Sequence, residues 1–139
     1  MAAVKKFSSL EDLLVFPSSE PTIETIVDNE YNGAHRYRIR LCTGFDSKRR
    51  AHNYIDKTVT LQFVKKEEDG TIVPGLQSEQ VALILLDRVK KLNERFPHPS
   101  NKKQIEGLQM FLDACKERVE ERIDRGAMGD LKKWYNFGI

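Results

Sequence analysis

Residues 78–126 read SEQVALILLDRVKKLNERFPHPSNKKQIEGLQMFLDACKERVEERIDRG, and this stretch decides the fold. Ser78 suits the N-cap of a helix running to about Arg95, and Val81, Leu85, Val89 and Leu92 recur along it as an apolar stripe. Pro97 and Pro99 end that helix. Ser100 suits the cap of a second helix running to about Arg125, with Ile105, Leu108, Leu112, Cys115 and Val119 as its stripe. Gly126 is the natural C′ residue. The link between the two helices, 96–101, is short, so they are expected to lie side by side and antiparallel.

Upstream, the period changes from helix to strand. Thr22–Val27 is β-branched. His35–Leu41 alternates, with Tyr37, Ile39 and Leu41 on one side and Arg36, Arg38 and Arg40 on the other. Thr58–Val64 alternates as well. The polar, basic stretch from Gly44 to Tyr54 reads as an exposed connection, and Asp69-Gly70 reads as a hairpin turn before a returning strand at Thr71–Val73. Ahead of the strands, Ser8 and Glu11 resemble a capping box for a short helix within residues 1–16, carrying Leu10, Leu13 and Leu14. The expected class is α+β: an N-terminal antiparallel β-sheet region followed by a C-terminal antiparallel helical hairpin. A single domain is expected over 1–139, made of a short helix and β-rich region (1–75), the hairpin (76–126) and an aromatic tail (127–139) with Trp134, Tyr135 and Phe137.

Composition narrows the function. The chain has 139 residues, 40% of them hydrophobic and 32% charged, which fits a globular domain and not a disordered one. Its formal net charge of +2 announces no polyanion partner, so charge arguments rest on local clusters. No apolar run approaches the ~20 residues of a membrane span, and the first 16 residues lack the apolar core of a signal peptide. A cytoplasmic protein with no membrane partner is expected. Cys42 and Cys115 are far apart and read as free thiols. His35, His52 and His98 are scattered without metal-ligand spacing. There is no P-loop, G-x-S-x-G or G-x-G-x-x-G pattern. No catalytic set and no cofactor site emerge, so a binding module is expected, not an enzyme.

Three constellations carry binding chemistry. Arg118 and Arg122 are four apart and share a helix face, with Arg125 beyond. Paired guanidiniums hold phosphate oxygens in forked, charge-assisted hydrogen bonds; equally, the interleaved Glu117, Glu120, Glu121 and Asp124 suit a solvated, ion-paired surface. Ser100-Asn101 opens the same helix, where free N–H groups attract anions and where Ser and Asn also serve simply as caps. The block Arg36, Arg38, Arg40, Lys48, Arg49 and Arg50, interleaved with Tyr37, Phe45 and Tyr54, fits a solvated sheet face, an oligomer interface or second anion site, or a nucleic-acid grip.

A resemblance covers about half the chain, from Thr58 to Lys133. Gln62-Phe63 on a strand is followed by a Gly75-Leu76 turn, Glu79 opening a helix with Leu86-Asp87-Arg88, a Pro-containing link, then Asn101 opening a helix that ends Arg118-x-x-x-Arg122-x-x-Arg125-Gly126-x-x-Gly129. This pattern resembles the helical-hairpin domain of phage Thoeris anti-defence and anti-CBASS proteins, and with the strand-rich first half it is most similar to the Thoeris anti-defence sponges. The resemblance implies a non-catalytic sponge for immune evasion by a bacteriophage, acting in the host bacterial cytoplasm. Such proteins sequester a cyclic nucleotide signal, a cyclic ADP-ribose isomer in the Thoeris case, and some also hold cyclic oligonucleotides at a separate site. It implies a homo-oligomer, dimer or hexamer, with pockets between subunits. It places Arg118 and Arg122 on the pyrophosphate and Asn101 on the base or ribose. The position that often carries a stacking Phe holds Leu92 here, with Phe96 in the link as the substitute aromatic, and Ala127 stands in place of the usual Val. Arg36, Arg38, Arg49 and Arg50 would supply the second anion site. The rival readings are a nucleic-acid-binding accessory protein, using Arg36 to Arg50, and a phage structural or assembly protein.

Overall fold

A computed structural model of the protein describes residues 4–7, 13–14, 20–27 and 33–126. The architecture is α+β, and the chain divides into two compact units, 1–65 and 66–139. The aromatic tail and the Ser8–Glu11 box lie outside the described residues.

The first unit is built on a four-stranded antiparallel sheet of β1 (Val4–Phe7), β2 (Ile23–Val27), β3 (Arg36–Asp46) and β4 (Ala51–Gln62), in that order across the sheet. β1 precedes the Ser8–Glu11 box and was not expected. Its residues pair with β2 from Val4↔Val27 to Phe7↔Glu24. A free sheet edge offers a whole row of backbone partners.

Alternation along β2, β3 and β4 sorts the side chains. Ile23 pairs with Ile39, Thr25 with Tyr37, Ile39 with Val59 and Tyr37 with Leu61, so these residues line one face. Phe63 joins them through an edge-to-face contact with Tyr37, ring centroids 5.9 Å apart. Glu24, Arg38, Thr60, Arg40 and Thr58 line the other face.

The segment 44–54, expected to be an exposed connection, is instead strand on both sides of a four-residue turn. β3 runs on to Asp46 and β4 starts at Ala51. β2 pairs with β3 only as far as Ile39, and beyond the Arg40 N–H bond to the Thr22 carbonyl (2.9 Å) no third strand accompanies the pair among the described residues. The outer part of β3–β4 is therefore a two-stranded ribbon. At its end Asp46 Oδ1 accepts from the backbone N–H groups of Lys48 (2.9 Å) and Arg49 (3.1 Å), an Asx turn, and Arg50 takes a left-handed conformation, φ 53°. The exposed polar sequence is real, but its polarity belongs to a ribbon wetted on both faces and not to a loop.

After the sheet, β5 (Lys65–Lys66) and β6 (Ile72–Val73) form a small hairpin around the expected Asp69-Gly70 turn, with Gly70 at φ 90°. Then follow α1 (Ser78–Arg95) and α2 (Pro99–Asp124), with Gly126 at φ 67° just past the second helix, as its C′ role requires.

Gly33 is held by both shape and dihedral. A Cβ there would lie 2.6 Å from Thr25 Cγ2 and 3.2 Å from Val27 Cγ2, and its φ is +83°. Gly33→Ala should therefore lower the unfolding free energy by about 1–3 kcal/mol. Urea denaturation of the two proteins measures this, and equal midpoints would show that the packing of this loop on β2 is not tight.

Candidate functional site

The helical pair positions the hairpin's candidate residues. Its first helix is capped one residue earlier than expected: Gln77, not Ser78, is the N-cap, and Gln80 Oε1 accepts the Gln77 N–H at 2.9 Å. The second is capped two residues earlier: His98, not Ser100, is the N-cap, and its Nδ1 accepts the Ser100 N–H at 3.0 Å. Pro99 then fills the first helical position, where its fixed φ fits and its missing N–H costs nothing.

Along α2 the least exposed residues are Asn101, Ile105, Leu108, Leu112, Cys115, Val119 and Arg122. Their spacing alternates four and three, the seam of a coiled-coil-like pair. Along α1 Glu79, Ala82, Leu86, Val89 and Asn93 follow the same rhythm. The α2 stripe is the expected one, extended at both ends by polar residues. The α1 stripe is rotated. Ala82 and Leu86 are buried in the seam, whereas Leu85 and Leu92 of the expected stripe are 45% and 41% exposed. Val81 to Leu86 is apolar without a break, so periodicity alone leaves the inward face of this turn ambiguous.

Each end of the seam is polar. At one end Asn101 Nδ2 donates to Asn93 Oδ1 (3.1 Å) and to the carbonyl of Phe96 (3.0 Å), tying the start of α2 to the end of α1. This serves carbonyls that the helix terminus leaves without an internal partner. Phe96 is 63% exposed, and the Arg95 guanidinium lies 5.3 Å from its ring centroid. Leu92 is one turn back from Phe96 on α1.

At the other end Arg122 is buried, with 7% of its surface exposed. Burial pulls its guanidinium below the ordinary value; the positive charge of Arg118 adds to this, Glu79 and Glu121 oppose it, and Arg125 pulls the same way. Arginine stays protonated regardless. The Cys115 thiol is pushed up by burial first and by Glu79 second, against Arg118 and Arg122. Glu79, Cys115, Arg118 and Arg122 thus form one electrostatic cluster. Arg118 is exposed, and Arg125 pairs with Glu121 at 2.7 Å. Arg122 is a seam residue, then, and not a side chain projecting into a cleft of its own chain.

The structure brings Arg118 and Arg122 together, and Asn101 together with Phe96. It does not bring the two groups together. Along the axis of α2, Arg118 lies about 25 Å from Asn101, and Arg122 about 31 Å. No mononucleotide spans that distance within one chain.

No family model matches this chain, and comparison with characterised proteins finds no match.

The second proposed set is also dispersed. Arg36 opens β3, whereas Arg49 and Arg50 sit past its far end, about 30 Å away along an extended strand. Arg38 pairs with Glu24 at 3.4 Å, and neighbouring Arg40 bridges Glu20 at 3.5 Å and Asp56 at 3.3 Å. Arg49 Nε donates to Asp46 Oδ2 at 2.9 Å, and another of its nitrogens donates to Asn53. Those Arg49 bonds hold the Asp46 carboxyl below its usual range. One anion cannot meet all four arginines. Cys42 and Cys115 are free thiols, and among the described residues no group of three His, Cys, Asp or Glu residues is placed to hold a metal ion.

The two helix arginines should separate in their effects on folding. Arg122→Ala opens a hole in the seam and removes the cation beside Glu79, so it should cost about 2–4 kcal/mol of stability. Arg118→Ala, on the exposed flank, should stay within about 0.5 kcal/mol. Chemical denaturation of both variants measures the difference, and equal losses would remove Arg122 from the seam.

Proposed function

We propose that this protein is a non-catalytic sponge that captures a cyclic nucleotide signal, such as a cyclic ADP-ribose isomer, between two copies of itself. The observation that carries the reading is the separation of Asn101 and Phe96 from Arg118 and Arg122 along α2. The residues that the resemblance assigns to one ligand lie at opposite ends of one hairpin. They meet only if a second copy lies alongside in the opposite direction, its arginines beside the first copy's Asn101 and Phe96. A two-fold axis makes such a contact twice, giving two equivalent sites.

The surface of α1 supports this association. Ile84, Leu85, Leu92 and Phe96 are exposed, Ile84 at 67%, and they follow one another along the flank outside the seam. A partner hairpin on that flank would cover them. Arg118, exposed on α2, would meet the phosphate, and Arg122, buried in the seam, would add positive charge behind it. Excluding water at such an interface strengthens every arginine–phosphate contact. Sequestration needs tight equilibrium binding and abundance, not turnover.

Calorimetric titration with cyclic ADP-ribose isomers and cyclic di- and trinucleotides tests the reading, followed by heating and chromatography of the released ligand. Tight binding to one of them, with the ligand recovered intact, is expected. Arg118→Ala should weaken it by roughly tenfold or more. Mixing Arg118→Ala chains with Asn101→Ala chains should regenerate one intact site of parental affinity in each mixed dimer, although each variant alone binds only weakly. Failure of the mixture to recover binding would rule out a site shared between copies, and altered ligand after release would point to an enzyme.

A further inference from the structure

The outer β3–β4 ribbon carries features that the hairpin reading leaves unused. Its pairing is irregular at two places, between Arg40 and Cys42 and between Cys42 and Gly44, and regular again at Phe45↔His52 and Asp46↔Ala51. Bulges of this kind re-aim side chains. Gly44, at φ +149°, supplies the backbone freedom. Regular alternation puts residues 42 and 45 of one strand on opposite faces. Here Cys42 pairs with Tyr54 and Phe45 with His52, and His52 and Tyr54 are two apart, so all four side chains share one face. Two contacts bear this out: the Phe45 and His52 rings meet edge to face with centroids 5.0 Å apart, and Cys42 Sγ lies 3.7 Å from His52 Nδ1.

The pairing therefore places three rings, Phe45, His52 and Tyr54, on one side of the ribbon, and the bulge turns Cys42 to the same side. Phe45 is 46% exposed and His52 is exposed too. Immediately beyond the rings the turn presents Lys48, Arg49 and Arg50, all exposed. The hydrogen bonds to Asp46 and Asn53, which lie on the face opposite the rings, engage Arg49 there and shape the turn.

We propose that this end of the ribbon binds a short stretch of single-stranded nucleic acid, with bases stacking on Phe45 and His52 and the phosphate backbone tracking past Lys48 and Arg50. The chemistry is that of a stacking platform beside a cationic edge: any base offers a π-face, and the charges follow the backbone without reading sequence. A duplex hides those faces. An anionic membrane would use the same cations, but the ring face is shared with the Cys42 thiol and the His52 imidazole, whose polar atoms favour bases over acyl chains. The proposal rests on the ribbon alone and is independent of the hairpin ligand.

Fluorescence anisotropy of a labelled oligothymidylate, titrated with the full chain at several salt concentrations, tests it. Binding should weaken with salt with a log–log slope of about −1.4, as for two phosphate contacts on a single strand. Phe45→Ala should reduce affinity roughly ten- to hundredfold, and Phe45→Trp should retain it with quenching of the new indole on binding. Lys48→Ala with Arg50→Asn, the Asn chosen because it tolerates the left-handed turn position, should bring the slope toward zero by the loss of both contacts. Arg118→Ala should bind the oligonucleotide as the parent does. Equal affinity for duplex and single strand, an unchanged Phe45→Ala, or binding to phosphatidylserine vesicles without binding to the oligonucleotide would each overturn the proposal.

Discussion

The second unit depends on the register of α1 against α2. A two-helix pair can slide by a turn at little cost when its seam is uniformly apolar, because one leucine replaces another. Here the seam ends are polar and unlike. Asn93 and Asn101 close one end through a direct hydrogen bond, and Glu79 and Arg122 lie in the other with opposite charge. A one-turn slip would leave the amides facing aliphatic side chains and part the carboxylate from the guanidinium, each costly away from water. The apolar middle supplies attraction, and the polar ends supply register.

That division explains how far the residues could be read in advance. The α2 stripe from Ile105 to Val119 was legible because polar residues surround it and leave one apolar face. The ends of both helices, the antiparallel link and the Asp69-Gly70 hairpin were legible because Pro and Gly act locally. The inward face of α1 was not, since Val81–Leu86 offers apolar side chains in every direction and only a partner helix selects Ala82 and Leu86. The caps were displaced to Gln77 and His98 because Ser78 and Ser100 carry the right chemistry one or two residues inside each helix. β1 was missed since its only warrant is a partner strand distant in sequence. Of the candidate site, the pairing of Arg118 with Arg122 followed from helical spacing. Their distance from Asn101 also followed from it, once α2 was continuous, yet a motif read as a string conceals length: residues that adjoin in a pattern stand a helix apart in space.

The sheet unit shows the converse. Alternation placed Tyr37 and Ile39 opposite Arg36, Arg38 and Arg40 correctly, but could not foresee which arginines meet carboxylates. Glu24 reaches Arg38 from a neighbouring strand, and Asp56 reaches Arg40 across the ribbon. A basic stretch in sequence thus becomes largely ion-paired in three dimensions, at Arg38, Arg40 and Arg49. The bulges are likewise invisible to period-two reasoning, and it is they that turn Cys42 to the face of the rings.

Burial is sparse in both units. Among the described residues only Ile26, Val27, Ala82 and Leu86 are buried apolar side chains, and no large side chain is fully enclosed. Units of this size usually need further apolar burial, often through oligomerisation, to be comfortably stable. The exposed flank of α1 is where a second copy would supply it, and a ligand lodged in that interface would add its own binding free energy to assembly by mass action. On the proposed reading folding, association and capture would be linked. The exposed apolar residues of α1 would make a shared site possible, because a hairpin that had satisfied all its apolar surface internally would have no reason to bring the arginine end of one copy to the asparagine end of another.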